Sequence, residues 1–130
     1  MTALSASYAS NLSVNSLSEC DNIIWLDMCE NDNIKTLENM RYLKYAYLYD
    51  IYSLTKDSLK NCVKIEELEF SANDDITTLN HMKYLQSLHA IDTNLTANSI
   101  TGCIKLTRCV IRDEFKQDPN SSYICFFTKY

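Results

Sequence analysis

The chain has 130 residues and a formal net charge of −5, from 12 basic and 17 acidic side chains. This length suits one domain with one core, and 46% hydrophobic residues favour a globular chain over a disordered one. The acidic balance argues against nucleic acid as a partner, because phosphate binding requires a basic surface. With one glycine and one proline, the turns must rely on Asn, Asp and Ser.

Residues 1–11 are small and polar, and we expect them to form a tail or the edge of a cap. This stretch lacks the basic start and apolar centre of a signal peptide. No apolar run approaches the roughly 20 residues that a membrane-spanning helix requires. We therefore expect a cytoplasmic protein that does not enter a membrane.

An internal repeat covers most of the chain. The stretch IIWLDMCENDNIKTLENMRYL (23–43) aligns with IEELEFSANDDITTLNHMKYL (65–85), and the apolar residues occupy the same positions in both. The pattern LxxLxL recurs at intervals of 20 to 22 residues, starting from Ile23, Leu43, Ile65, Leu85 and Leu106. Every second repeat also carries a cysteine just ahead of this pattern, at Cys20, Cys62 and Cys103.

The spacing within a repeat predicts a short strand followed by an irregular arm. The last two apolar positions of LxxLxL are two apart, so they face one side of a strand. The apolar residues that follow are three apart, as in Ile34, Leu37 and Met40, which suits 3₁₀ turns better than a long α-helix. One such unit cannot bury its apolar edge alone, so neighbouring units must stack.

These features resemble the leucine-rich repeat family, whose pattern is LxxLxLxxNxL. The resemblance covers residues 12–115 and implies an α/β solenoid of about five repeats. Parallel strands would line its concave face and short 3₁₀ or irregular arms its convex face. Only Asn31 and Asn73 fill the asparagine position, with Ile51 and Thr93 in other copies. An asparagine there can bond the turn backbone inside the solenoid.

Beyond Phe115 the repeat stops, and residues 116–130 begin with a proline-containing turn and end in the apolar run YICFFTKY. A solenoid needs its open ends covered. We predict that 116–130 is a C-terminal cap on the last repeat. The alternative is that 123–130 docks on a partner.

The sequence offers little support for catalysis or metal binding. Repeating cysteines two strands apart would lie about 10 Å from one another, too far for a disulfide, so we expect reduced core residues, with Cys29 more exposed. His81 and His89 have no partner at metal-ligand spacing. Phosphate-binding and hydrolase motifs are absent from the sequence. We expect neither enzyme activity nor a metal or cofactor.

The outward positions of the strands are the candidate site. They combine aromatic residues, which are enriched in binding hot spots, with acidic ones that can steer a basic partner. The predicted partner-binding residues are Trp25, Asp27, Tyr45, Tyr47, Tyr49, Glu66, Glu67, Glu69, His89 and Arg108. The resemblance and this face together predict a non-enzymatic protein-interaction module.

One alternative function stays open at this point. The chain would then be a structural component of a larger assembly, such as the particle of a large DNA virus. Abundant Asn, Ile, Tyr and Lys are typical of an AT-rich genome, which suits such a source. Fixed stoichiometry in a purified assembly would separate this reading from a transient interaction module.

Overall fold

The structure, a computed structural model, describes residues 2–5, 7, 17–112 and 123–125. Its strands form one seven-stranded sheet in chain order, β1-β2-β3-β4-β5-β6-β7. The strands are β1 (Ala3–Ser5), β2 (Trp25–Asp27), β3 (Tyr45–Leu48), β4 (Glu67–Asn73), β5 (Ser87–Thr93), β6 (Arg108–Arg112) and β7 (Tyr123–Cys125).

The strands β1 to β6 are parallel, and each pairs with the next along the chain. Their register places Leu26 opposite Ala46, Ala46 opposite Leu68 and Leu68 opposite Leu88. These are equivalent positions of the LxxLxL pattern, so the predicted solenoid of stacked parallel strands is confirmed. Parallel neighbours require a crossover between them, and from β2 to β6 each crossover is one irregular arm of the solenoid.

The arms are built from tight turns, and the α/β class predicted from the sequence is not confirmed. The one helix whose bounds lie within the described residues is a 3₁₀ helix, Ala97–Ile100. Elsewhere the amide of Met40 donates to Leu37 O (3.0 Å), and that of Leu43 donates to Met40 O (3.3 Å). These hydrogen bonds join residues three apart, as in a 3₁₀ turn, so apolar residues at that spacing point inward one after another.

A single apolar core runs through the stack. It contains the inward residues of every strand from β2 to β6 together with those of the arms. The inward position at the strand centre is occupied by Leu26, Ala46, Leu68, Leu88 and Cys109, each at most 1% exposed. Burying one Leu side chain stabilises the fold by roughly 1.5–3 kcal/mol, so the core columns supply most of the stability of the stack.

A left-handed residue marks the end of each strand from β2 to β5. The residues with positive φ are Glu30 (58°), Asp50 (56°), Ala72 (55°) and Asp92 (54°), which are equivalent positions of successive repeats. Asp tolerates this conformation better than most residues, whereas Ala gains nothing from a local side-chain hydrogen bond there. The repeat of one φ value shows that all four turns bend in the same way.

Buried asparagine holds the turn after the corner, as the sequence predicted. Asn73 is 3% exposed. Its Nδ2 donates to Leu54 O (2.8 Å) on the preceding turn, and its Oδ1 accepts from the amides of Asp75 (3.0 Å) and Ile76 (3.1 Å). One side chain therefore satisfies three backbone groups, and its hydrogen bonds to Leu54 and Ile76 are buried.

The two ends of the sheet differ. Strand β1 continues the parallel stack beside β2, whereas β7 pairs antiparallel with β6, with Val110 opposite Ile124. The predicted divisions at residues 11–12 and 115–116 fall outside the described residues, so the three-part organisation stays a prediction. Of the predicted C-terminal cap, residues 116–130, the structure describes only 123–125.

Candidate functional site on the exposed strand face

The strand register gathers the predicted site residues into rows on one face of the sheet, here called the strand face. One row consists of Trp25, Tyr45, Glu67, Ser87 and Arg108, and the next of Asp27, Tyr47, Glu69, His89 and Val110. Arg108 is exposed, and the other members of both rows are half-buried. Side chains on strands about 4.8 Å apart cover one another's flanks, which explains their partial burial.

An aromatic patch occupies the N-terminal part of the strand face. Trp25 and Tyr47 lie diagonally across β2 and β3, with ring centroids 5.9 Å apart and an angle of 53° between the planes. Tyr45 lies directly opposite Trp25 in the register. Diagonal pairs of this kind are within reach of aromatic side chains. The three rings therefore form one contiguous apolar surface on adjacent strands.

Acidic side chains border this patch on β4. Glu67 lies opposite Tyr45 and Glu69 opposite Tyr47. Burial raises the pKa of Tyr47, and the charges of Glu67 and Glu69 together with a hydrogen bond to Glu67 raise it further. A phenol is already protonated at neutral pH, and the raised pKa extends the pH range in which the Tyr47 hydroxyl can donate a hydrogen bond.

A second cluster joins three consecutive turns. Tyr49 Oη lies 2.6 Å from Glu69 Oε2 and 3.0 Å from His89 Nδ1, and the Tyr49 and His89 rings meet edge to face at 6.1 Å. An ionised carboxylate only accepts, so the single Tyr49 proton goes to Glu69. His89 Nδ1 must then carry a proton and donate to Tyr49. The chain of donors runs from His89 through Tyr49 to Glu69.

Asp27 is engaged by internal partners. Ser7 Oγ donates to Asp27 Oδ1 at 2.6 Å, and the Cys29 amide donates to Ser7 Oγ at 3.1 Å. Burial alone would raise the pKa of Asp27, but the hydrogen bonds from Ser7 and Cys29 outweigh it and lower the pKa. No pattern in the sequence indicates this contact, since Ser7 precedes the repeats. Asp27 therefore has fewer free acceptor sites for a partner than its exposed position suggested.

Two of the predicted residues lie at the margins of the strand face. Glu66 precedes β4 and pairs with Lys44 Nζ at 3.4 Å. Both side chains are partly exposed, so this pair contributes little to stability, although it neutralises one of the three glutamates. Arg108, on β6, is two strands away from the acidic residues of β4. The structure thus groups Trp25, Tyr45 and Tyr47 closely and leaves Arg108 apart.

The cysteines follow the prediction in part. Cys62, Cys103 and Cys109 are buried, while Cys20 and Cys29 are half-buried, and Cys29, Cys62 and Cys103 are free thiols. Cys62 Sγ donates to Leu37 O (3.5 Å) and Cys103 Sγ to Leu79 O (3.1 Å), in equivalent positions of the stack. Burial raises the pKa of Cys62 to about 12 and that of Cys103 to about 11. Such thiols are poor nucleophiles.

His81 has a structural contact on an arm. Its Nε2 lies 2.9 Å from Leu59 O, and the equivalent Asn39 donates its Nδ2 to Leu17 O at 2.7 Å. Since a carbonyl oxygen accepts, His81 must be protonated at Nε2. Within the part of the chain that the structure describes, no three His, Cys, Asp or Glu side chains lie close enough to hold a metal ion.

Sequence reasoning overlooked a row of exposed residues just ahead of the strands. Lys64 Nζ lies 4.6 Å from the ring centroid of Tyr42, and Lys105 Nζ lies 4.6 Å from that of Tyr84. The signal was present in the alignment, because Arg41-Tyr42 matches Lys83-Tyr84 across the internal repeat. These positions lie outside the strand face, at the amino ends of its strands.

Comparison with models of protein families finds no match to this sequence, and comparison with curated proteins finds none either. Among the described residues, no helix is both long enough and apolar enough to cross a membrane. The fold is a parallel-strand solenoid. Its exposed surface is the evidence that bears on its function.

Proposed function

We propose that this protein is a non-enzymatic, cytoplasmic protein-interaction module that binds a protein partner through the strand face. The aromatic patch of Trp25, Tyr45 and Tyr47 is the observation that carries the proposal. Three large rings on adjacent strands offer a contiguous apolar surface with polar atoms at its rim, which is the composition of an interface centre. Aromatic side chains bring large contact area at little cost in conformational entropy.

The charges beside the patch favour a partner with a basic surface. Glu67 and Glu69 lie next to the tyrosines on the neighbouring strand. Rim charges of this kind raise the association rate of an oppositely charged protein and disfavour acidic competitors. The cluster of Glu69, Tyr49 and His89 extends the polar rim, and its internal hydrogen bonds hold these side chains in place for contact.

We further propose that the solenoid is of the leucine-rich repeat type. The LxxLxL positions are buried, and Asn73 bonds the turn backbone from the position that the repeat pattern assigns to asparagine. The arms, built from turns, are compatible with a short repeat of 20 to 22 residues. Interaction surfaces on strand faces suit solenoids because the stack is extended and its outward positions are free to vary.

The test begins with affinity purification from the native source, using the intact chain and a variant with Trp25, Tyr45 and Tyr47 changed to Ala. A control changes Tyr52 to Ala, since this tyrosine is exposed and lies outside the strand face. Circular dichroism first establishes that all three proteins fold. A partner captured by the intact chain and the control, but not by the strand-face variant, supports the proposal.

The captured partner is then purified and titrated by calorimetry. Loss of hot-spot aromatics should weaken binding by about 30-fold or more. Exchanging Glu67 and Glu69 for Lys should slow association by about tenfold at low salt. Equal affinity for intact and strand-face proteins would place the interface elsewhere. Capture in a large complex at fixed stoichiometry would favour the structural-component alternative.

A further inference from the structure

A second surface, distinct from the strand face, lies at the amino ends of the strands. We call it the amino edge and define it as Arg41, Tyr42, Val63, Lys64, Lys83, Tyr84, Ile104 and Lys105. These are the two positions directly before the buried aliphatic residue that precedes each of β3, β4, β5 and β6. All eight are exposed, so the same two columns reach solvent on four successive turns.

The amino edge combines positive charge with exposed apolar side chains. Its eight positions hold four cations and no acidic residue, in a chain whose net charge is −5. Tyr42 (51%), Val63 (42%), Tyr84 (47%) and Ile104 (54%) are four of the six exposed large hydrophobic side chains in the described residues. Single exposed apolar residues need no explanation, but a contiguous set marks an interaction site.

The internal contacts of this edge do not account for that composition. Each lysine of the Tyr–Lys pairs lies over a ring of the previous turn, and at an exposed site such a cation–π pair contributes only about 0.5–1 kcal/mol. Val63 and Ile104 take no part in these pairs. A row that served solubility alone would need no exposed aliphatic residues at alternate turns.

We infer that the amino edge binds an acidic segment of a partner protein, extended in the polyproline II conformation and lying across the turns. Lys64 and Lys105 are two turns apart, which is about 10 Å for strands spaced about 4.8 Å. A polyproline II chain rises about 3.1 Å per residue with three residues per turn, so every third side chain points the same way at about 9.3 Å. Acidic residues at every third position therefore face successive lysines.

The tyrosine rings of the amino edge suit the proline residues of such a segment. Tyr42 and Tyr84 are also two turns apart, and exposed aromatic rings pack against proline-rich segments in other recognition surfaces. Val63 and Ile104 widen the apolar floor beside them. A nucleic-acid duplex fits less well, because its phosphate backbone offers no apolar group to the exposed side chains of Val63 and Ile104.

The experiment measures fluorescence anisotropy of a labelled peptide that repeats Glu-Pro-Pro, titrated with the intact chain at low salt. Two peptides serve as controls, one with Gln in place of Glu and one with the same composition but all Glu grouped at one end. We expect the repeating peptide to bind at least about tenfold more tightly than either control. Binding should weaken as salt rises, since exposed charges are screened.

Variants locate the contact. Changing Lys64 and Lys105 together to Glu should weaken binding by about tenfold or more, as should changing Tyr42 and Tyr84 to Ala. The control changes Lys35 and Lys56 to Glu, since these exposed lysines lie on the arms and give the same change in net charge. Salt screens exposed charges that lie far from the peptide. This control should therefore bind the peptide within about twofold of the intact chain.

Four results would overturn the inference. They are equal binding of the repeating and grouped peptides, equal loss in the Lys35 and Lys56 control, tighter binding of polyphosphate than of the peptide, and self-association of the chain that the Lys64 and Lys105 changes abolish. The last would make a second copy the occupant. The strand-face variant should bind the peptide normally, so this test stands or fails separately from the proposed function.

Discussion

The inward and outward sides of each strand follow different rules. Inward positions repeat from turn to turn, so that Leu26, Leu68 and Leu88 occupy one buried column. Outward positions in the same strands change completely, from Trp25 to Glu67 to Arg108 along one row. A stacked core accepts only apolar side chains at equivalent positions, although their size varies from Leu68 to Ala46, whereas the outward side is limited by solubility and by whatever it contacts. The outward side, whose residues vary from strand to strand, is therefore the side expected to carry the function.

The largest expected effect comes from the inward side of a central strand. Leu68→Ala removes a fully buried side chain between two neighbouring turns and should lower the free energy of unfolding by about 2–5 kcal/mol. Glu67→Ala, one residue away on the outward side, should change it by about 0.5 kcal/mol. Urea unfolding followed by circular dichroism measures both. Equal losses would contradict the distinction between the two sides.

The next effect concerns buried hydrogen bonds. Asn73→Ala leaves Leu54 O and the amides of Asp75 and Ile76 without their partner, and each orphaned buried group costs about 1–3 kcal/mol. We expect a total loss of about 2–4 kcal/mol, partly relieved by water. Thr93→Ala is the control at the paired position on the next turn and should cost less than about 1 kcal/mol. Similar losses in both variants would contradict the conclusion that the hydrogen bonds of Asn73 stabilise the fold.

A smaller effect should appear at alkaline pH. The pKa of Cys62 is raised from 9.0 to about 12 by burial, so above about pH 9 the unfolded state releases the thiol proton while the folded state keeps it. Stability is thus retained below the unfolded pKa and lost as pH rises toward the folded one. Near pH 10 the loss should be about 1 kcal/mol.

The measurement compares urea unfolding of the intact chain and Cys62→Ala between about pH 7.5 and pH 10. Other groups also titrate in this range, so the relevant quantity is the difference between the two proteins. That difference should shift in favour of the Ala variant as pH rises. A constant difference would mean that the Cys62 thiol ionises as readily in the folded protein as in the unfolded one.

The smallest effect is expected from the outward cluster. Tyr49→Phe removes the hydroxyl that joins Glu69 and His89, but both partners are half-buried and can bond water instead. We expect a loss of about 0.5–1 kcal/mol. Tyr52→Phe, at an exposed position, is the control and should be neutral. A loss as large as that of Leu68→Ala would show that the outward side also determines the fold.

Much of the architecture could be predicted because it is periodic. The alignment of Ile23, Leu43 and Ile65 anticipated which residues pair across strands, and the register of β2, β3 and β4 agrees with it. The inward role of Asn73 and the buried Cys62 followed from the same columns. The expected α/β class was not confirmed, because three-residue spacing fits both short helices and turns, and hydrogen bonding decides between them.

The candidate site was predictable only as a surface. Alternation along a strand indicated that Trp25, Tyr45 and Tyr47 point outward, but periodicity carries no information on which outward side chains touch. The pairing of Tyr49 with His89, 40 residues apart, depends on how the side chain just after β3 reaches across β4 to β5. The Ser7 contact with Asp27 depends on where a segment without the repeat joins the sheet.

The sequence by itself determined the stack, because a fixed spacing of buried residues leaves one register that hides them all. It also determined which residues remain outward and their unequal chemistry. Only the tertiary structure decided that the tyrosines of one turn meet lysines of the next at the amino edge, and that β7 reverses direction beside β6. Those outcomes depend on distances between neighbouring turns, which exist only once the stack has formed.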